Sequence, residues 1–201
     1  MKILQYIFIS LSHKILKLLP YKSIRILSVP IGTLYFLFTF RSSIKLFRRK
    51  EIFNELKINY KPLIVKINYT RYWLETLWLT NENFSKYISQ HVEIENLEYV
   101  EKLKKQYPGL IFALPHLGNW EFAIPIGNSI KLNLLAVAEP LNNSYVLNWF
   151  KSLRESLGIE IIIGGKGQNT FDLLVNKLKS GKDICLLSER SIKKSGVATI
   201  F

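Results

Sequence analysis

A single cysteine, Cys185, occurs in 201 residues, which excludes an internal disulfide and fits a reducing compartment. It lies in an apolar run and reads as core rather than nucleophile. The three histidines, His13, His91 and His116, are far apart in sequence, so with one cysteine no metal site is expected. Phosphate-loop signatures are missing as well. Gly164-Gly165-Lys166-Gly167 lacks the Gly-Lys-Ser/Thr ending, and no Gly-x-Gly-x-x-Gly occurs, so the glycines read as a turn. There is no internal repeat and no low-complexity tract.

Negative charge is missing from one whole segment. Met1 to Lys50 contains no Asp or Glu but ten basic residues: Lys2, Lys14, Lys17, Lys22, Arg25, Arg41, Lys45, Arg48, Arg49 and Lys50. The formal net charge of the chain is +13, so this segment supplies most of it. Apolar runs lie between the charges, at Ile3–Ile9, Ile15–Leu19 and Ile26–Phe40. Apolar faces with basic flanks describe an interfacial segment on an anionic membrane. Ile26–Phe40 is only fifteen residues and is interrupted by Pro30 and Gly32, whereas a spanning helix needs about twenty apolar residues. Shallow insertion is therefore expected rather than a span. A cleaved signal peptide is not expected, because the basic residues continue past the apolar run. The plain alternative is that these are buried helices of the domain. Charge alone would also suit a nucleic acid with a steep salt dependence, but the apolar runs favour lipid, and no nucleic-acid partner is expected.

What the chain does contain is a hydrophobic content of 48%, enough for a sizeable core. Glu51–Leu79 reads as helical in two pieces. Ile52, Leu56, Tyr60, Leu63 and Ile67 recur at helical spacing, and Pro62 fits the first turn of the second piece. Val92–Glu98 partly alternates and suggests a short strand. From Gly109 onward strands and helices alternate. Strands are expected at Gly109–Ala113, Leu134–Ala138, Ile159–Ile163, Ile184–Leu187 and Val197–Phe201, and helices at Asn143–Leu157 and Thr170–Lys179. That rhythm implies an α/β fold, a mainly parallel central sheet covered by helices.

At the end of the first of these strands stands Leu114-Pro115-His116-Leu117-Gly118-Asn119-Trp120-Glu121. The carboxyl edge of a parallel sheet is where ligands bind. Residues five apart diverge by roughly 140° on one helix and do not meet there. His116 and Glu121 meet if the histidine is on a turn and the glutamate opens the next helix. Pro115 keeps Leu114 extended, Gly118 permits a tight turn, and Asn119 suits an N-cap. Pro125 predicts a short or bent helix. An imidazole beside a carboxylate makes a general-base pair. The bland reading is a satisfied histidine near a strand end.

The His116–Glu121 string resembles the His-x4-Asp/Glu box of the glycerolipid acyltransferase superfamily. More narrowly it resembles the bacterial branch that holds the Kdo-lipid A acyltransferases and the phosphatidylinositol mannoside acyltransferases. Further strings follow in the same order: Ala136-Val137-Ala138-Glu139-Pro140-Leu141, Leu153-Arg154-Glu155-Ser156-Leu157-Gly158-Ile159-Glu160, Leu186-Leu187-Ser188-Glu189-Arg190, and Gly196-Val197. The resemblance covers Pro108 to Phe201; before Pro108 only the layout is similar.

The resemblance implies a glycerol-3-phosphate acyltransferase-like fold. Together with the charge pattern it gives an expected division into a membrane-associating helical segment, residues 1–50, read from the basic residues and apolar runs, and an acyltransferase domain, residues 51–201, incomplete at its C-terminus. It implies a long-chain acyl-coenzyme A as co-substrate, with no further cofactor, and a phosphatidylinositol mannoside acceptor at the cytoplasmic face of the inner membrane. A Kdo-lipid A acceptor and an inactive membrane-bound fragment are the alternatives. His116 would be the base, with Glu121 and Glu189 the acidic catalytic residues. Glu139, Arg154, Asn119 and Arg190 would contact substrate. For Arg154 a solvated charge on a helix face is the competing reading. Tyr72, Trp73 and Trp78 would line an acyl groove or belong to the core.

Overall fold

The computed structural model describes residues 1–40, 61–164 and 169–187. The expected strand at Val197–Phe201 and the first helical piece after Glu51 lie outside the described residues, as does the compositional boundary between Lys50 and Glu51. The chain forms two compact units, one of Met1–Ser10 with Thr80–Phe201, the other of Leu11–Leu79.

The Leu11–Leu79 unit is helical. It takes the second half of α1 (Lys2–Leu16), then α2 (Tyr21–Phe38) and α3 (Pro62–Trp78). Pro62 stands at the start of α3, where its missing N–H costs nothing. Contrary to the expected interruption, α2 continues through Pro30 and Gly32. Ile24, Ser28 and Gly32, four apart, form its buried strip. At Gly32 the backbone of α3 comes so close that a Cβ would collide with Ile67, so glycine is needed there for helix–helix contact. Trp78 is fully buried; its Nε1 donates to the Leu19 carbonyl at 2.8 Å and its ring lies 5.2 Å from that of Tyr21. It is a core residue, not a groove wall. Tyr72 and Trp73 are half-buried and meet edge to face at 5.5 Å. Among the described residues no helix is long and apolar enough to cross a membrane.

The larger unit holds α4 (Asn81–Tyr87), α5 (Leu97–Gln106), α6 (Ala123–Ser129), α7 (Ser144–Ser156) and α8 (Thr170–Lys179). With them is a sheet of β1 (Ile111–Leu114), β2 (Leu134–Ala138), β3 (Glu160–Ile163) and β4 (Asp183–Leu187). The strand order is β1-β4-β2-β3 and every pairing is parallel. The strand expected at Val92–Glu98 is absent. Asn96 adopts a left-handed φ of 55°, which ends any extended run, and Glu98 already lies in the first turn of α5.

Asp183 holds the amino end of the sheet together. It is fully buried and accepts from Leu110 N at 3.0 Å, Asn133 N at 2.8 Å and Lys104 Nζ at 2.9 Å. One carboxylate thus joins the starts of β1, β2 and β4. In β2 and β4 burial falls towards the other end. Strand β4 opens with buried Asp183 and Ile184 and closes on exposed Leu187.

Candidate functional site

Leu114 ends β1 and Pro115 leads the chain off the sheet. Leu117 N donates to the Pro115 carbonyl at 2.8 Å, closing a three-residue turn with His116 at its apex. The histidine is half-buried, and its ring meets Trp120 edge to face, 4.8 Å between centroids. Gly118 has φ +62° with open space where a Cβ would be, so backbone conformation, not crowding, calls for glycine there. Asn119 caps the next turn, its Oδ1 accepting from Glu121 N at 3.1 Å. Trp120–Phe122 form a single 3-10 turn and α6 follows, seven residues long, with Pro125 in its first turn.

Glu121 is 2% exposed, and its carboxylate is held by the Arg154 guanidinium in α7. Nη2 donates to Oε1 at 2.6 Å and Nε to Oε2 at 3.0 Å. This is the bidentate fork geometry that only arginine offers. Arg154 also lies over the Phe150 ring at 5.7 Å. Its side chain is 24% exposed, so it is not a solvated charge on the helix face. A second contact follows from α6 to the C-cap of α7: Asn128 Nδ2 donates to the Leu157 carbonyl. The segment after His116 is therefore clamped to α7 at both ends.

Glu139 lies exposed just past the end of β2, and β4 separates that strand from β1 in the sheet. Glu189, Arg190 and Lys166 lie outside the described residues. The structure thus brings Glu121 and Arg154 together, places Asn119 as their backbone cap, and sets His116 and Glu139 at the same edge of the sheet. The ion pair of Glu121 with Arg154 was not legible in the sequence, since 33 positions separate the two. The contact between His116 and Trp120 had a signal in their four-residue spacing, which brings side chains together where a turn opens a helix.

Cys185, on β4, is not a thiolate. Burial, and secondarily the Asp183 carboxylate, push its thiol up to about 11.

The parallel sheet thus carries, just past its first strand, a His-x4-Glu string whose glutamate is paired to a downstream arginine. The profile of the bacterial lipid A biosynthesis acyltransferase family matches residues 1–201, and the chain belongs to that family. It is 30% identical over 138 residues to a phosphatidylinositol mannoside acyltransferase of Mycolicibacterium smegmatis. It is 31% identical over 136 residues to the protein of that name in Mycobacterium tuberculosis H37Rv. The matched stretch is 67% of this chain but only 44% and 43% of the relatives' lengths. The chain thus spans less than half of the curated relatives it matches.

Proposed function

We propose that the protein is a membrane-associated O-acyltransferase that moves a long-chain acyl group, palmitoyl in the first instance, from acyl-coenzyme A to a sugar hydroxyl of a phosphatidylinositol mannoside. The observation that carries this reading is the placement of His116 at the apex of a turn just past the carboxyl end of β1. His116 takes the proton of the acceptor hydroxyl. The oxygen attacks the thioester carbonyl, the C–S bond breaks, and the coenzyme A thiolate leaves, taking up the proton from the imidazolium. A positioned base of this kind contributes about 10²–10⁴-fold. No acyl-enzyme is involved, which agrees with the raised Cys185 thiol.

The roles of the acidic residues divide. Glu121 is committed to Arg154, so we assign it to holding the turn that carries His116, with Arg154 as its counter-charge. Asn119 serves the same turn as a cap. Glu139 is exposed at the carboxyl edge and is assigned to acceptor hydroxyls. By the family resemblance Glu189, two positions past Leu187 in sequence, is assigned as the acidic partner of His116. Glu189→Gln is therefore the variant that tests an acidic partner for the base, and Arg190 the neighbour assigned to substrate. Exposed apolar residues and the basic residues of the first two helices support association with anionic lipid on the cytoplasmic face.

The lipid A family match favours a second reading of the acceptor, a Kdo-lipid A precursor. Incubation with palmitoyl-coenzyme A and either acceptor, followed by mass spectrometry of the lipids, separates the two. Acyl addition to the mannoside alone supports the first. Addition to the lipid A precursor alone replaces it. Lipid binding with no coenzyme A release under either condition contradicts both.

A further inference from the structure

The side chains of the Trp120–Phe122 turn go three ways. A 3-10 turn holds three residues, so successive side chains diverge by about 120°. Glu121 takes the direction of α7, where Arg154 Nη2 donates to its Oε1 at 2.6 Å. Phe122 takes the direction of α4, and its ring lies 6.4 Å from that of buried Phe84. Asn119 caps the entry to the turn, accepting from Glu121 N at 3.1 Å. With two directions held and the entry capped, the third is fixed as well, and it carries the Trp120 ring to His116. The two centroids are 4.8 Å apart and the planes meet at 81°. Both side chains are half-buried.

His116 needs such a neighbour. It stands on a turn past the end of β1, outside any strand or helix. The last side-chain torsion of histidine is broad and roughly two-fold, so an imidazole without a packed wall samples several settings. A general base has to bring one ring nitrogen within about 2.6–3.2 Å of the hydroxyl it deprotonates. An edge-to-face aromatic neighbour at this separation favours one setting of the ring over the others. We infer that Trp120 is a positioning residue for the base: its indole holds the His116 ring in the orientation that offers a nitrogen to the acceptor hydroxyl. The indole does no chemistry itself. Glu121 and Arg154 hold the turn, and Trp120 sets the imidazole that the turn carries. This assignment rests on the acyl transfer proposed above and names the group that orients its base.

The test compares Trp120→Leu and Trp120→Phe with wild type in the 201-residue chain, each checked for fold by far-ultraviolet circular dichroism. Leucine fills part of the space without a ring, whereas phenylalanine keeps a ring to pack. Coenzyme A release from palmitoyl-coenzyme A with a phosphatidylinositol mannoside acceptor gives kcat and KM. Trp120→Leu should lower kcat about 3- to 10-fold with KM for both substrates within about twofold, and Trp120→Phe should regain most of the loss. A second readout does not depend on turnover. The ring-proton resonances of His116, assigned by their loss in His116→Ala, feel the ring current of the indole. They should move in Trp120→Leu and move less in Trp120→Phe. With wild type active, an unchanged kcat in Trp120→Leu overturns the assignment, and so does a loss that falls on KM or that phenylalanine fails to rescue. His116 resonances that stay in place in Trp120→Leu overturn it whether or not there is turnover. Wild-type protein that releases no coenzyme A contradicts the acyl-transfer reading itself, and the positioning role falls with it.

Discussion

The Glu121–Arg154 pair decides how the acid of the box is understood. A carboxylate at 2% exposure is tolerable only with its charge matched, and the guanidinium fork does that. Arg154→Met removes the counter-charge of a buried carboxylate, and should cost on the order of 3–5 kcal/mol in urea denaturation. Arg154→Met combined with Glu121→Leu should recover much of that loss and part of the turnover with it; stability recovered without turnover would give the pair a chemical role instead of the positioning one assigned here. Tyr21 gives a second residue-scale test. Burial, then the Glu75 carboxylate that its hydroxyl donates to at 2.8 Å, raise its pKa from 10.0 to about 12. The folded state thus holds this proton more tightly than the unfolded chain. The resulting stabilisation is complete below pH 10 and fades as pH rises towards about 12. Thermal unfolding of wild type should therefore weaken with pH in that window more steeply than that of Tyr21→Phe. Parallel curves for the two proteins would rule out the contribution.

Among the elements, those with turn signals on both sides were legible. Strand β2 and helix α8 match the expected spans residue for residue, and α7 sits one residue inside each end of its expected span. Helix α5 was misread although Leu97, Val100 and Leu103 share one face of it, because the alternation starting at Val92 competed for the same residues. Strand order was out of reach. Nothing in the linear pattern says that β4 inserts between β1 and β2. That choice depends on contacts such as those of Asp183, which joins Lys104, Leu110 and Asn133 from distant parts of the chain. Asp183→Ala strands two backbone N–H groups and a lysine, and should cost about 3 kcal/mol. Amide exchange should quicken first at the amino ends of β1, β2 and β4. If exchange is unchanged there, the carboxylate is not the clamp described.

For the whole molecule, the candidate site was partly legible. His116, its turn, Gly118 and the Asn119 cap followed from local chemistry, because each depends on residues within a few positions. The partner of Glu121 did not, because only the fold brings α7 to it. The account's central claim is that His116 is the base of an acyl transfer. Its most direct test is the rate of coenzyme A release from palmitoyl-coenzyme A with a phosphatidylinositol mannoside acceptor, for wild type and His116→Ala at matched fold by circular dichroism. The account predicts a loss of about 10²–10⁴-fold in the variant with vesicle binding unchanged. A His116→Ala protein that releases coenzyme A as fast as wild type contradicts it.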